Sequence, residues 1–205
     1  MLIVNAHRLH GPNVAHEMTP NHDGLITPTI LVFHFTAISF DDTVAVFKDT
    51  TPGNRVSAHL VVARDGRIVQ FVDFNLRAWH AGSSAWRGLT DINSHSIGIE
   101  LENAGSIRQL GERFIGEEGP VVPAEQVIEA AHKNAKWTMT HWHRYSEAQL
   151  VASYAIATAL VGAYGLRDIV GHDDIAPDRK RDPGPAFPLE SVRAQALGRS
   201  DDGPP

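Results

Sequence analysis

The residues best suited to chemistry lie near the C-terminus. They fall in the run Gly171-His172-Asp173-Asp174-Ile175-Ala176-Pro177-Asp178-Arg179-Lys180-Arg181-Asp182-Pro183-Gly184-Pro185. His172 offers an imidazole where an apolar stretch ends, and Asp182 offers a carboxylate between Arg181 and Pro183. The two can converge on one cation. A third ligand from elsewhere would complete a hydrolytic zinc site that keeps one open position. Lys180 stands two residues before Asp182 and can bring positive charge to the same cleft; the alternative is a solvated loop lysine between Arg179 and Arg181. The chain contains 12 histidines and no cysteine, so a metal site here must draw on His, Asp and Glu.

These groups need elements to hold them. Residues 166–170 end on the branched pair Ile169-Val170 after Leu166 and are too few for a helix, which predicts a buried strand with His172 at its end. The two Pro-containing steps beyond it predict an ordered loop. Ile30-Leu31-Val32-Phe33-His34-Phe35-Thr36 reads as a second buried strand, apolar on both faces. His34 shares a face with Ile30, Val32 and Thr36, and standing alone it would be read as a core histidine. Residues 96–102 alternate, with Ile97, Ile99 and Leu101 on one face and Ser96, Gly98, Glu100 and Glu102 on the other. Glu100 is then either a solvent-facing strand residue or a cleft residue, and Gly98 beside it leaves bare space that suits a ligand. Arg77-Ala78-Trp79-His80-Ala81-Gly82 follows another strand. Trp79 and His80 can line a sugar or peptide groove, or Trp79 can cap the edge of the core.

The remaining signals describe the scaffold. Residues 1–27 carry Gly and Pro without a clean period and predict an irregular arm, with a first short strand at residues 2–4. Ser39 three residues before Asp42 predicts a helix start running to Lys48. Asp65-Gly66 predicts a hairpin between strands at residues 56–64 and 67–74. Residues 103–123 read as a long loop and 124–136 as a helix. Trp137, His141, Trp142, His143 and Tyr145 form an aromatic patch. Ser146-Glu147-Ala148-Gln149 is a capping box, and the helix it opens runs to Tyr164, with a buried stripe expected at Leu150, Val151, Tyr154, Ala157, Thr158 and Val161. Residues 189–197 predict a last short helix and 198–205 a frayed tail. The expectation is one α/β domain: a mixed, partly antiparallel sheet with helices against it, catalytic over residues 28–197.

Composition excludes several classes. The chain has 205 residues, a net charge of −6, 42% apolar and 20% charged residues, which speaks against a nucleic-acid partner. It has no apolar run long enough to span a membrane. Residues 1–10 show no basic segment followed by an apolar one, so a cytoplasmic location is expected. A phage endolysin or a non-classically exported effector are the alternatives.

Five motifs occur in order: Val32-Phe33-His34-Phe35-Thr36, Arg55-Val56-Ser57-Ala58-His59, Arg77 to Gly82, Ser96-Ile97-Gly98-Ile99-Glu100-Leu101-Glu102, and Gly171-His172 through Pro185. Together they resemble the zinc-dependent N-acetylmuramoyl-L-alanine amidases of the amidase-2 type, over roughly residues 28–190. The resemblance implies zinc held by His34, His172 and Asp182, an acidic catalytic position at Glu100 and a catalytic lysine at Lys180. It implies hydrolysis of the amide between the lactyl group of N-acetylmuramic acid and L-alanine, in peptidoglycan or muropeptides. Trp79 and His80 are expected to line the substrate groove. A non-catalytic peptidoglycan-binding module and a zinc amidase acting on a non-wall substrate are the competing functions.

Overall fold

The structure, a computed structural model, describes residues 1–198. The tail expected beyond that point lies outside the described residues. Six strands build the central sheet: β1 (Val14–His16), β2 (Ile30–Phe35), β3 (Leu60–Val62), β4 (Ile68–Gln70), β5 (Ser96–Leu101) and β6 (Asp168–Gly171). Their spatial order is β6-β2-β5-β3-β4-β1. β6, β2, β5 and β3 run parallel, β3 and β4 are antiparallel, and β4 and β1 are parallel again. The sheet is therefore mixed, as the pattern of elements predicts. The β3–β4 hairpin turns at Asp65-Gly66, where the Gly66 amide donates to the Ala63 carbonyl.

Among the described residues, four helices flank the sheet: α1 (Phe40–Lys48), α2 (Glu147–Tyr164), α3 (His172–Ile175) and α4 (Leu189–Leu197). Leu31, Phe33, Ile97, Ile99 and Leu101 point to one side and pack with Ile156 and Leu160 of α2 and Val192 of α4. Each such fully buried aliphatic side chain contributes about 1.5–3 kcal/mol relative to exposure. Ile30 and Val32 point to the other side and pack with Ile92, Val170 and Ile175. Cover on both faces is what an apolar β2 requires.

α2 starts at Ser146, whose side chain accepts from the Gln149 amide while Gln149 returns the bond, and stops at Gly165 in the left-handed conformation. Its buried stripe differs from the expected one: Gln149, Ala152, Ser153, Ile156, Ala157 and Leu160 face inward, while Val151 is 63% exposed. Apolar residues occur on every side of this helix, so periodicity could not choose a face. Gln149 settles it, because its amide donates to the carbonyls of Val62 and Glu102.

Three segments depart further from expectation. The first 27 residues are not an irregular arm: Ile3–Asn5 pairs with Arg8–His10, β1 joins the sheet edge, and His22–Leu25 pairs with Leu76–Ala78. The expected long loop after residue 103 holds three short strands, Arg108–Leu110, Arg113–Ile115 and Val121–Val122. The expected helix over 124–136 is a single 3-10 turn, Ala124–Gln126, followed by a strand, Val127–Glu129, paired with His141–His143. The β-branched pair Val127-Ile128 favours extension there, and fully buried Trp142 lies opposite Ile128 in the register.

The N-cap of α2 yields a stability test. Ser146→Ala removes the cap and is expected to cost about 1 kcal/mol, or roughly 2–4 °C in Tm for a domain of this size, measured by calorimetry.

Candidate metal centre and catalytic cleft

β2 and β6 are adjacent and parallel, with Gly171 opposite Phe33. His34 and His172, each the next residue along, therefore emerge side by side at the C-terminal ends of their strands, where α/β sheets place ligands. The loop that follows α3 brings Asp182 back to them. Gly171 permits that return: a Cβ there would lie 2.2 Å from Asp173 Oδ1 and 2.6 Å from Pro183 Cδ.

The three side chains converge. His34 Nδ1 is 2.9 Å from His172 Nδ1 and 3.1 Å from Asp182 Oδ2, and His172 Nδ1 is 2.9 Å from the same oxygen. All three residues are buried, at 1%, 3% and 6% exposure. His172 Nε2–H donates to the Ala81 carbonyl at 3.1 Å, which leaves a lone pair on Nδ1. Burial pushes His34 down to about 4, with His172 acting the same way, so that ring is neutral. Burial works against ionisation of Asp182, yet positive charge and hydrogen bonding from His172 and His34 outweigh it and hold the carboxyl well below its usual range, a part that a bound cation would take over once both rings are neutral. Ring-nitrogen lone pairs and a carboxylate oxygen facing one point are mutually repulsive without a cation between them. Two imidazoles and one carboxylate form a donor set that suits zinc and leaves one coordination position for a reactant.

Glu100 stands directly across from His34 in the β5–β2 register and so shares its face of the sheet. Its Oε2 is buried and has no hydrogen-bond partner among the described residues. Burial pushes its carboxyl up to about 8, the negative charge of Asp182 adds to this, and Lys180 opposes it. Glu100, Lys180, Asp182, His172, His80 and Thr36 line one cleft of about 310 Å³. Arg179, on the same loop, is tied to the wall through the carbonyls of Ala81 and Ser83. An apolar groove of about 730 Å³ between residues 1–4 and α2 shares no residue with this cleft.

Two expectations change on inspection. The bare space beside Gly98 is taken by the His80 ring rather than left for a ligand; a Cβ on Gly98 would sit 2.5 Å from His80 Cγ. Trp79 lies outside the lining of the cleft, and the Arg55 guanidinium stacks on its ring at 5.0 Å.

Sequence reasoning missed a clasp. Residues 117 and 132–137 reach across the loop that carries Lys180 and Asp182. Trp137 Nε1–H donates to the Lys180 carbonyl, Asn134 donates to the Pro177 carbonyl, and Lys136 donates to the Asp178 carbonyl. Arg181 stacks on Trp137 and donates two hydrogen bonds to the Glu117 carboxylate, at 2.8 and 2.5 Å. Glu117 also accepts from the amide and hydroxyl of Ser106. The aromatic and basic residues around position 137 were visible in the sequence, but their partners are some 40 positions away.

An α/β domain with one His-His-Asp centre at its strand ends fits the class of mononuclear metallohydrolases. Residues 25–185 match the family described as N-acetylmuramoyl-L-alanine amidase, and the chain belongs to that family. Among curated relatives, AmiD of Escherichia coli (strain K12) is 36% identical over 82% of this chain and 53% of its own length, so the chain spans about half of that protein. The 1,6-anhydro-N-acetylmuramyl-L-alanine amidase AmpD of the same organism is 32% identical over 90% of this chain and 88% of its own length. Among solved structures, a selenomethionine AmpD derivative superposes with a TM-score of 0.66 at 29% identity, covering 95% of this chain and 99% of the other. AmiD from E. coli, in complex with the substrate anhydro-N-acetylmuramic acid-L-Ala-D-gamma-Glu-L-Lys, superposes with a TM-score of 0.59 at 28% identity, covering 96% of this chain and 66% of that one. No helix among the described residues is long and apolar enough to cross a membrane.

The clasp makes its own prediction. Glu117→Ala leaves Arg181 and both Ser106 donors without their acceptor, and should cost about 2 kcal/mol of stability, read from urea denaturation.

Proposed function

We propose that the chain hydrolyses the amide bond joining the lactyl group of N-acetylmuramic acid to L-alanine, in peptidoglycan or muropeptides. One observation carries this reading: Glu100, with one carboxyl oxygen buried and unpaired among the described residues, stands on the strand next to His34 and lines the same cleft as His172 and Asp182. The family supports the bond type, and the muropeptide named with the AmiD structure supports the substrate class.

His34, His172 and Asp182 would hold zinc, which supplies a Lewis acid that polarises a carbonyl and makes water nucleophilic near neutral pH. Glu100 takes the proton of the attacking water and hands it to the alanine nitrogen as the C–N bond breaks. A carboxyl lifted towards neutrality by burial is suited to moving a proton in both directions. Lys180 offers positive charge to the carbonyl oxygen as that oxygen gains negative charge. It does so from a backbone fixed by Trp137 and by its own amide, which donates to the Ala176 carbonyl. The cleft is at the small end for a ligand site and accommodates the lactyl–alanine link, so the rest of the glycan and stem peptide extend over its rim. His80 lines the cleft wall and can touch substrate there, whereas Trp79, outside the lining, does not contribute to this reading.

The test is incubation with 1,6-anhydro muropeptides and, separately, with intact sacculi, followed by chromatography and mass spectrometry. Release of stem peptide with a free L-alanine amino group is the expected result, and no release from either substrate rejects the reading. Cleavage of the anhydro muropeptide alone assigns the chain to wall recycling. Three variants divide the roles. Asp182→Ala loses zinc, measured by elemental analysis, together with activity. Glu100→Ala keeps zinc and loses turnover by on the order of 10²–10⁴. Lys180→Ala keeps zinc and loses on the order of 10²–10³.

A further inference from the structure

We infer that His80 is a positioning residue for the metal ligand His34, fixing which nitrogen of that ring carries the proton through a relay that ends on the Ile92 carbonyl. The inference rests on the metal assignment proposed above and adds a role that assignment does not contain.

The relay is read from its far end. The Ile92 carbonyl can only accept, and the Ser96 hydroxyl lies 2.7 Å from it, so the single hydroxyl proton of Ser96 points there. Ser96 Oγ must then accept from its other neighbour, His80 Nε2, at 3.3 Å. A neutral imidazole carries one proton, and no carboxylate among the described residues lies within hydrogen-bond reach of the His80 ring to hold a second, so a proton on Nε2 leaves Nδ1 bare. That bare nitrogen is 3.0 Å from His34 Nε2, which therefore donates to it. The consequence reaches the metal: His34 is protonated on Nε2 and presents the Nδ1 lone pair to the point that His172 and Asp182 also face. A ring held in one tautomer and one orientation binds a metal without first paying to reorganise.

The surroundings hold each link in place. The amides of His80 and Ala81 both donate to Asn93 Oδ1, at 3.1 and 2.8 Å. Gly98 supplies the gap into which the His80 ring fits. His59, whose ring centre lies 5.9 Å from that of His80, is committed elsewhere: Nε2–H donates to the Leu76 carbonyl and Nδ1 accepts from the Gly98 amide. His172 reaches the same tautomer by a shorter route, donating directly to the Ala81 carbonyl. The two histidine ligands thus end on two carbonyls, one at first hand and one through two side chains.

The experiment has two arms on the full chain. In the first, long-range proton–nitrogen NMR of zinc-free wild type at neutral pH reads the tautomers directly. Protons on Nε2 of both His34 and His80 are expected, and a proton on Nδ1 of either ring overturns the inference. In the second, chelator competition measures zinc affinity. His80→Leu, which has no acceptor, should bind zinc about 10–100-fold more weakly. His80→Asn, whose side-chain oxygen falls near the position of the lost Nδ1, should recover to within about threefold of wild type. Equal losses in the two variants would mean that His80 only fills space, and would overturn the relay. Should His80→Leu not fold, His80→Asn and the NMR arm still decide. Wild-type protein that binds no zinc would reject the metal assignment itself, leaving the NMR arm to judge the relay separately.

Discussion

The site depends on the parallel register of β2 with its two neighbours. In a parallel sheet, residues directly opposite share a face and stand about 4.8 Å apart. Opposite His34 on one side is Glu100, and on the other side β6 ends one residue before His172. A slip of one residue in either pairing would turn a ligand or the acid into the apolar layer beneath α2. The alternation of Leu31 and Phe33 against Ile30 and Val32 forbids that slip, because both faces of β2 are packed. Core burial thus sets the distance between a metal ligand and the acid beside it.

Much of this was legible in the sequence where signals were local. The apolar run of β2, the Ile169-Val170 pair of β6, the Asp65-Gly66 turn, the Ser39 cap and the Ser146 capping box each announce an element through residues within a few positions. The donor set was legible in part: His172 and Asp182 by their loop, and His34 only through the resemblance, since one polar residue in an apolar strand is ordinarily a core histidine. Less could be read where structure is made by distant partners. Strands of two or three residues, such as Val121–Val122 and Val127–Glu129, are too short to show a period and owe their form to pairing. The inward face of α2 was chosen by two carbonyls that accept from Gln149, and no pattern within the helix reports them. Gly98 looked like an opening because the ring that closes it, His80, comes from the loop after another strand.

The cleft is assembled from two kinds of support. His34 and Glu100 ride on sheet strands whose neighbours are Leu, Ile and Phe. Lys180 and Asp182 ride on a loop held from outside by Trp137, Asn134, Lys136 and the Glu117–Arg181 pair. The stretch that read as loop and helix is in fact what steadies the second half of the site. Its polar, half-exposed contacts are individually modest, and their value lies in acting together on one short segment, at the carbonyls of Pro177, Asp178 and Lys180.

This division of support makes the two halves answer differently to their medium. Ions in solution weaken attraction between charges near the surface over about 10 Å at 0.1 M ionic strength. They act on the half-exposed lysine of the Lys133–Asp174 pair and more weakly on the partly buried Glu117–Arg181 pair, whereas apolar burial beneath β2 and β5 carries no charge to screen. In brine the loop-borne lysine and carboxylate would loosen first, while the imidazole and acid on the sheet would keep their spacing. The ionic composition of the protein's surroundings therefore bears more on the loop that carries Lys180 and Asp182 than on the strands that carry His34 and Glu100.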